Sequence, residues 1–289
     1  MAEAVQKTAA RERTVLVTGA ARGGGLHTCK ALTARGFRVY AGVRGEPGEL
    51  AAVPGVRTVH LDVTDEQSVA GALDALRAAG ERELHGLVNN AGIIVQGPLE
   101  LVPEAELRRQ FEVNVFGPAR VTQAFLPLLR AGRGRLVNVT APTARLPVPF
   151  LGPISGSKAA LQALSDAWRG ELEHWGVGVV IVEPGAMRTD IFDTAAAAAE
   201  KALAGTSPEQ SALYGRQLAA LAKASAKMKL HSPDYLADAV VKALTAARPK
   251  ARYTVGPDTR LLGLLARLPL RTRDRLVMRM LGLSGISAS

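Results

Sequence analysis

Short apolar runs alternate with amphipathic segments along most of this chain. Thr14–Thr18 (TVLVT) is apolar at its centre and runs into glycines, as a strand buried on both faces of a parallel sheet does. Leu26–Arg35 has helical spacing and stops at Gly36, a residue suited to a helix end. Further strands are predicted at Arg38–Val43, Val56–Leu61, Leu84–Asn89, Arg135–Thr140 and Val177–Glu183. Helices are predicted at Glu66–Ala79, Leu107–Arg130 and Ser157–Trp175. The second of these should be broken near Gly117-Pro118 and Pro127, because proline has no N–H and crowds the preceding turn. Strand and helix alternating in this way predict an α/β fold: a Rossmann-type, doubly wound parallel sheet in a single domain.

After Pro184 the pattern changes. Residues 188–230 are Ala-rich and helical with no strand signal. They read as a helical substrate lid over the carboxyl edge of the sheet, where open α/β sheets bind ligands. Helix Pro233–Ala246 and strand Arg252–Val255 then close the sheet. The dinucleotide-binding type of domain is expected over residues 13–258, after a disordered lead-in at 1–12. Residues 259–289 form a basic amphipathic tail. Leu261, Leu264, Leu265 and Leu268 share one helical stripe, and Arg267, Arg271, Arg273, Arg275 and Arg279 surround a second stripe of Leu276, Val277 and Met280. Such a tail most often covers a pocket or a second subunit, and less often lies on an anionic membrane.

Composition adds limits. With 289 residues, 47% of them hydrophobic, the chain can bury one large core. The net charge of +10 comes mainly from arginines scattered along the chain, so no nucleic-acid partner is expected. Cys29 is the only cysteine, which excludes an intrachain disulfide and suits a reducing cytoplasm. The first residues lack the apolar stretch of a secretory signal, and no apolar run is long enough to span a bilayer. The histidines show no metal-ligand spacing, and His27 reads as a packed residue.

The chemistry starts where the first strand ends. Thr18-Gly19-Ala20-Ala21-Arg22-Gly23-Gly24-Gly25-Leu26 turns a strand into a helix. Glycines at 19, 23 and 25 let backbone approach a pyrophosphate, and the helix N-terminus offers free N–H groups to it. The spacing T-G-x-x-x-G-x-G resembles the cofactor loop of short-chain dehydrogenases/reductases. Further landmarks follow in that family's order over roughly residues 13–256. Asp62, with Val63 beside it, matches the acidic residue that meets the adenine. Asn89-Asn90-Ala91-Gly92 matches N-N-A-G. Asn114 matches the helix asparagine of a water relay. Pro184-Gly185 with Thr189 matches P-G-x-x-x-T, which meets the nicotinamide amide. The resemblance implies NAD(P) at the carboxyl edge of the sheet. It also implies a homo-oligomer, dimer or tetramer, for which the two long helices would offer an apolar face.

NAD-preferring sites usually carry an acid at the end of the second strand. Here Val43 stands there, Arg44 follows, and Arg22 sits in the glycine loop. Two guanidiniums near the ribose favour a 2′-phosphate, hence NADP(H).

The family's Tyr-x-x-x-Lys becomes Ile154-Ser155-Gly156-Ser157-Lys158, and Ala141 stands where its serine would be. Ile and Ala can neither donate a proton nor stabilise an oxyanion. Lys158 and Asn114 are the remaining candidates for catalysis, Lys158 also holding the nicotinamide ribose. Thr143 and Tyr214 are possible replacement donors, while Thr140 should point to the opposite face. Gly24 replaces an apolar family residue and is expected to leave a looser loop with room beside the nicotinamide. Three functions stay open: an atypical NADP(H)-dependent oxidoreductase on a small, secondary-metabolite type of substrate such as an iminium or conjugated acceptor; a non-redox isomerase, cyclase or lyase in the same pocket; and a catalytically silent cofactor-binding protein.

Overall fold

The computed structural model describes residues 13–286. The expected lead-in at 1–12 lies outside them. Seven strands form one parallel sheet: β1 (Thr14–Thr18), β2 (Arg38–Val43), β3 (Val56–His60), β4 (Gly86–Asn89), β5 (Arg135–Val139), β6 (Gly178–Pro184) and β7 (Arg252–Val255). Their order is β3-β2-β1-β4-β5-β6-β7, so strand order reverses between β1 and β4. A crevice opens at such a reversal, at the carboxyl ends of the strands.

Alternation along the strands divides the core. Val15 and Val17 face α1 (Gly23–Thr33) and a later helix over Asp234–Thr245, in a cluster with Cys29, Leu32 and Val240. Leu16 faces the other way, toward α2 (Glu66–Ala78) and α4 (Gly117–Ala131), with Leu76, Phe125 and Leu129. Period-two apolar residues on both faces are why these strands read as unbroken hydrophobic runs.

The long helix predicted over Leu107–Arg130 is three pieces. α3 (Glu104–Phe111) passes through a π-helical stretch, Glu112–Phe116, into α4. The Gly117 N–H bonds the Glu112 carbonyl five residues back. The break falls beside Pro118, which has no N–H to continue the ordinary ladder. Pro127, by contrast, sits inside α4 without ending it. α5 (Gly152–Leu172) starts five residues before the predicted Ser157, with Pro153 in its first turn, a position that tolerates proline.

Beyond β6 come α6 (Ile191–Ala204) and α7 (Pro208–Ala226), matching the helical pattern of 188–230. The excursion leaves and returns at one place. Met187 bridges His231, the Arg188 N–H donates to the His231 carbonyl, and the His231 N–H donates to the Ala186 carbonyl. Ala195 is the buried residue of α6, and α7 buries none. α8 (Asp234–Thr245) returns to the sheet against α1, where Asp234 Oδ1 lies 2.5 Å from His27 Nδ1. The chain ends in α9 (Pro257–Leu265) and α10 (Leu270–Met280).

Candidate active site

The β1–α1 turn is shaped by close backbone approach. Gly19 (φ 61°) and Gly23 (φ 54°) occupy the left-handed region. A Cβ on Gly19 would lie 2.7 Å from the Ala91 Cα, and one on Gly25 would lie 2.3 Å from the Gly19 carbonyl oxygen. These positions admit only glycine. Gly23 faces Thr189, whose Cγ2 would be 3.0 Å from a Cβ there. The loop after β6 thus meets the glycine turn directly.

Gly24 does not open the loop as expected. A Cβ there would sit 2.5 Å from Leu236 Cδ2 and 3.6 Å from Met187 Cε. Leu236 is buried, so α8 already fills the space that three glycines vacate.

Thr18 ties the turn to the end of β4. Its hydroxyl accepts from the Asn90 and Ala91 N–H groups at 3.1 and 3.0 Å, and Asn90 Nδ2 donates to the Thr18 and Gly19 carbonyls. Asn90 therefore does the anchoring. Asn89, which the N-N-A-G resemblance sets at the cofactor edge, points its side chain into the core. Its Nδ2 donates to Asn138 Oδ1 at 2.9 Å and to Thr122 Oγ1 at 3.0 Å, because alternation along β4 turns it inward beside its register partner Asn138.

On the far side of β1, Val43 is buried while Arg44 and Arg22 are exposed. Asp62 Oδ1 accepts from the Thr64 N–H and hydroxyl at 2.9 and 2.7 Å. Burial pushes the Asp62 carboxyl upward, but the Thr64 bonds, Arg44 and His60 outweigh it and hold it below its ordinary value. The Val63 carbonyl accepts from Arg120 Nη1 at 2.6 Å, and Val63 packs where a Cβ on Gly117 would be.

The other bank is built on β5, α5 and the π-helical stretch. Asn114, fully buried, accepts from the Ile93 N–H at 2.9 Å and donates to the Ile93 carbonyl at 3.0 Å. Gln110, four residues earlier on the same helical face, donates to the Ile93 carbonyl and to Ser157 Oγ, both at 3.0 Å, and accepts from the Val95 N–H. Asn114 and Gln110 together clamp the strand-end loop to α5. Gln110 escaped sequence reading, although its i−4 relation to Asn114 was a usable signal.

Lys158 is buried, and Nζ donates to the Val139 carbonyl at 2.8 Å. Burial lowers its pKa from 10.5 to about 8. Gly92 lies between the two polar groups: a Cβ there would be 3.4 Å from Asn114 Oδ1 and 3.6 Å from Lys158 Nζ. Ile154 lies one helical turn before Lys158 and is buried, while Ala141 caps a short 3₁₀ turn (Pro142–Ala144) in extended conformation. Thr140 and Thr143 both have buried hydroxyls with no protein partner. Tyr214 does not turn its phenol inward. Its hydroxyl donates to Glu100 Oε2 at 2.5 Å, and its ring stands edge-on to Phe150. Below this bank Glu183, fully buried, receives Arg145 at 2.6 Å as well as Arg252. Gly185 donates its N–H to the Val255 carbonyl, which fixes the turn after Pro184. Among the described residues no group of histidine, cysteine or acidic side chains is arranged to hold a metal.

An open parallel sheet with this reversal and a glycine turn at its crevice defines a Rossmann-type α/β protein. The comparisons with known proteins narrow the class. The profile of the short chain dehydrogenase family matches residues 13–200. A 3-amino-tetrahydro-pyrrolizinone reductase of Xenorhabdus hominickii is 36% identical over 253 residues, covering 86% of this chain and 88% of the relative. An NADPH-dependent 3-dehydrocapnine reductase of Ornithobacterium rhinotracheale is 36% identical over 257 residues, covering 85% and 88%. The crystal structure of a short chain dehydrogenase from Burkholderia cenocepacia in complex with NADP superposes with a TM-score of 0.70 at 27% identity, covering 93% of this chain and 97% of that one. This chain belongs to the short-chain dehydrogenase family, a family of oxidoreductases.

Proposed function

We propose that this protein is an NADP(H)-dependent oxidoreductase of a small organic, secondary-metabolite type of substrate that carries its own electron sink, an iminium or a conjugated acceptor. One observation carries the reading: across from the glycine turn, buried Ile154 stands one helical turn before Lys158 and Ala141 follows β5, the positions that the family resemblance gives to the proton and oxyanion donors. The NADPH-dependent relative and the NADP-bound neighbour support the cofactor. The pyrrolizinone reductase supports a nitrogen-containing substrate.

The turn fits the cofactor's phosphates: no side chain caps the first N–H groups of α1, and Gly19 and Gly25 lack the Cβ that would strike neighbouring backbone. Thr18, Gly19, Arg22, Gly23, Gly24 and Gly25 would hold the pyrophosphate, and Arg22 and Arg44 the 2′-phosphate. Asp62 and Val63 would flank the adenine. Ala91, Gly92 and Lys158 would hold the nicotinamide ribose, and Pro184, Gly185 and Thr189 the carboxamide. Asn89 would meet the cofactor through its backbone, its side chain being turned into the sheet. When bound, NADPH supplies a hydride.

Ile154 and Ala141 present an apolar wall, which leaves an alkoxide without a donor, whereas an iminium becomes a neutral amine on gaining hydride and needs none. The Thr143 hydroxyl, buried without a protein partner, would turn toward a polar atom of the substrate on binding, and Asn114 holds the loop at Ile93. Helices α6 and α7 act as the lid, hinged at Met187 and His231. Phe116 and Leu164, exposed beside α4 and on α5, belong to the face of a homo-oligomer, and the working compartment is the cytoplasm.

The test is steady-state NADPH oxidation over a panel of cyclic iminium ions, conjugated carbonyls and simple ketones. The expected result is turnover of an iminium or conjugated acceptor about 10²-fold above that of any ketone. Comparable ketone turnover overturns the reading, as does substrate conversion that leaves NADPH unconsumed.

A further inference from the structure

The C-terminal helices dock on the body with one side and leave another uncovered. Val277 and Leu283 are buried, and Gly263 lies against Arg145, whose Nη atoms would be 3.2 Å from a Cβ there. The tail is therefore seated. Yet Leu261 (54%), Leu264 (61%), Leu268 (36%) and Leu270 (62%) remain exposed within ten residues around the α9–α10 corner. Single exposed leucines are ordinary, but a cluster of this kind on a packed element marks a contact surface.

Charge says what it contacts. Residues 259–286 hold Arg260, Arg267, Arg271, Arg273, Arg275 and Arg279 against one acid, Asp274. Asp274 is taken up by Arg273. The other five arginines are exposed, and among the described residues none forms an ion pair. Among the described residues no helix is long and apolar enough to cross a membrane.

We propose that the α9–α10 corner is an interfacial docking surface for an anionic lipid bilayer. The leucines enter the headgroup–acyl boundary, and the arginines meet lipid phosphates. A second copy of this chain suits the surface less well. A twofold contact would set five arginines against their own copies, in a chain whose excess charge is already +10. Attachment here would bring the enzyme to substrates dissolved in, or delivered from, the bilayer surface. The inference does not depend on the reaction proposed above.

The experiment is co-sedimentation of the full chain with vesicles of phosphatidylcholine alone and of phosphatidylcholine containing phosphatidylglycerol. Binding to the anionic vesicles should exceed binding to the neutral ones by about tenfold or more, and fall in about 0.5 M NaCl, where screening lengths shrink to a few ångströms. Replacing Arg267, Arg271, Arg275 and Arg279 by Gln should weaken binding about fivefold per guanidinium. Leu261→Ser with Leu264→Ser and Leu270→Ser should abolish it while leaving the melting temperature and NADPH oxidation unchanged. Absence of binding overturns the proposal, as does equal binding to both vesicle types. So does a leucine variant that binds vesicles normally. If those leucine substitutions instead lower the mass seen by light scattering and no vesicle binding occurs, the corner is a subunit interface and the lipid proposal fails.

Discussion

On the β1–β4 bank of the crevice, backbone packs on backbone. A Cβ on Gly25 would sit 2.3 Å from the Gly19 oxygen, and one on Gly19 2.7 Å from the Ala91 Cα. On the β5–α5 bank, a Cβ on Gly156 would meet only the ring edge of Phe111, at 3.5 Å, and one on Gly152 only Leu99, also at 3.5 Å. The first bank gets its shape from the absence of side chains. The second gets its chemistry from their presence. Ile154 packs as a buried residue in the first turn of α5, and Ser157 Oγ donates to its carbonyl at 3.0 Å.

The sharpest way to break this contrast is to add one methyl to each bank. Gly25→Ala should destabilise the protein by about 3 kcal/mol or more and abolish NADPH binding, because its Cβ meets backbone that cannot yield. Gly156→Ala, exposed in α5, should instead stabilise by about 0.5–1 kcal/mol through helix propensity. Denaturant titration with cofactor binding reads both, and similar effects at the two sites would dissolve the distinction.

The next largest effect concerns the chemical wall. Ile154→Tyr with Ala141→Ser should raise ketone reduction on the order of 10²-fold, since a proton donor and an oxyanion donor return together. Steady-state NADPH oxidation over a ketone panel measures it. No gain in a folded, NADPH-binding double variant would mean that the pocket is shaped for something other than carbonyl chemistry.

A smaller change tests the cofactor bank electrostatically. Arg44→Ala should weaken NADPH binding about tenfold and leave NADH nearly unaffected, as loss of one charge-assisted phosphate contact does. Parallel titrations of the two cofactors decide it, and equal losses would remove the 2′-phosphate assignment.

The smallest effect is on the second bank's buried charge. Burial lowers Lys158 from 10.5 to about 8. Between those values the unfolded chain keeps a proton that the folded protein has released. Stability should thus rise with pH from about 8 to about 10.5 and be flat in this respect below 8. The rise should be on the order of 1 kcal/mol, limited by the bond from Nζ to the Val139 carbonyl, and Lys158→Met should remove it. Denaturant melts of both proteins across that range give the slope.

Pattern alone carried the positions of the inner strands, because β1, β4, β5 and β6 are buried on both faces and are largely apolar, whereas edge strand β3 buries only Val59 fully. It carried the glycine turn, because left-handed φ and close backbone approach leave one residue type, and it carried the helices α6 and α7, because Ala-rich segments have little alternative. What it could not supply were the contacts between segments distant in the chain. That Leu236 fills the space beside Gly24 depends on α8 docking on α1, more than two hundred residues later. That Asn89 turns inward while Asn90 grips the glycine loop depends on the pairing of β4 with β1 and β5. Tyr214 reaches Glu100, more than a hundred residues earlier, only once α7 has packed. Local sequence encodes backbone conformation and periodicity; which side chain occupies a shared space is decided only when separate elements pack, since interiors are too dense for two of them to fill it.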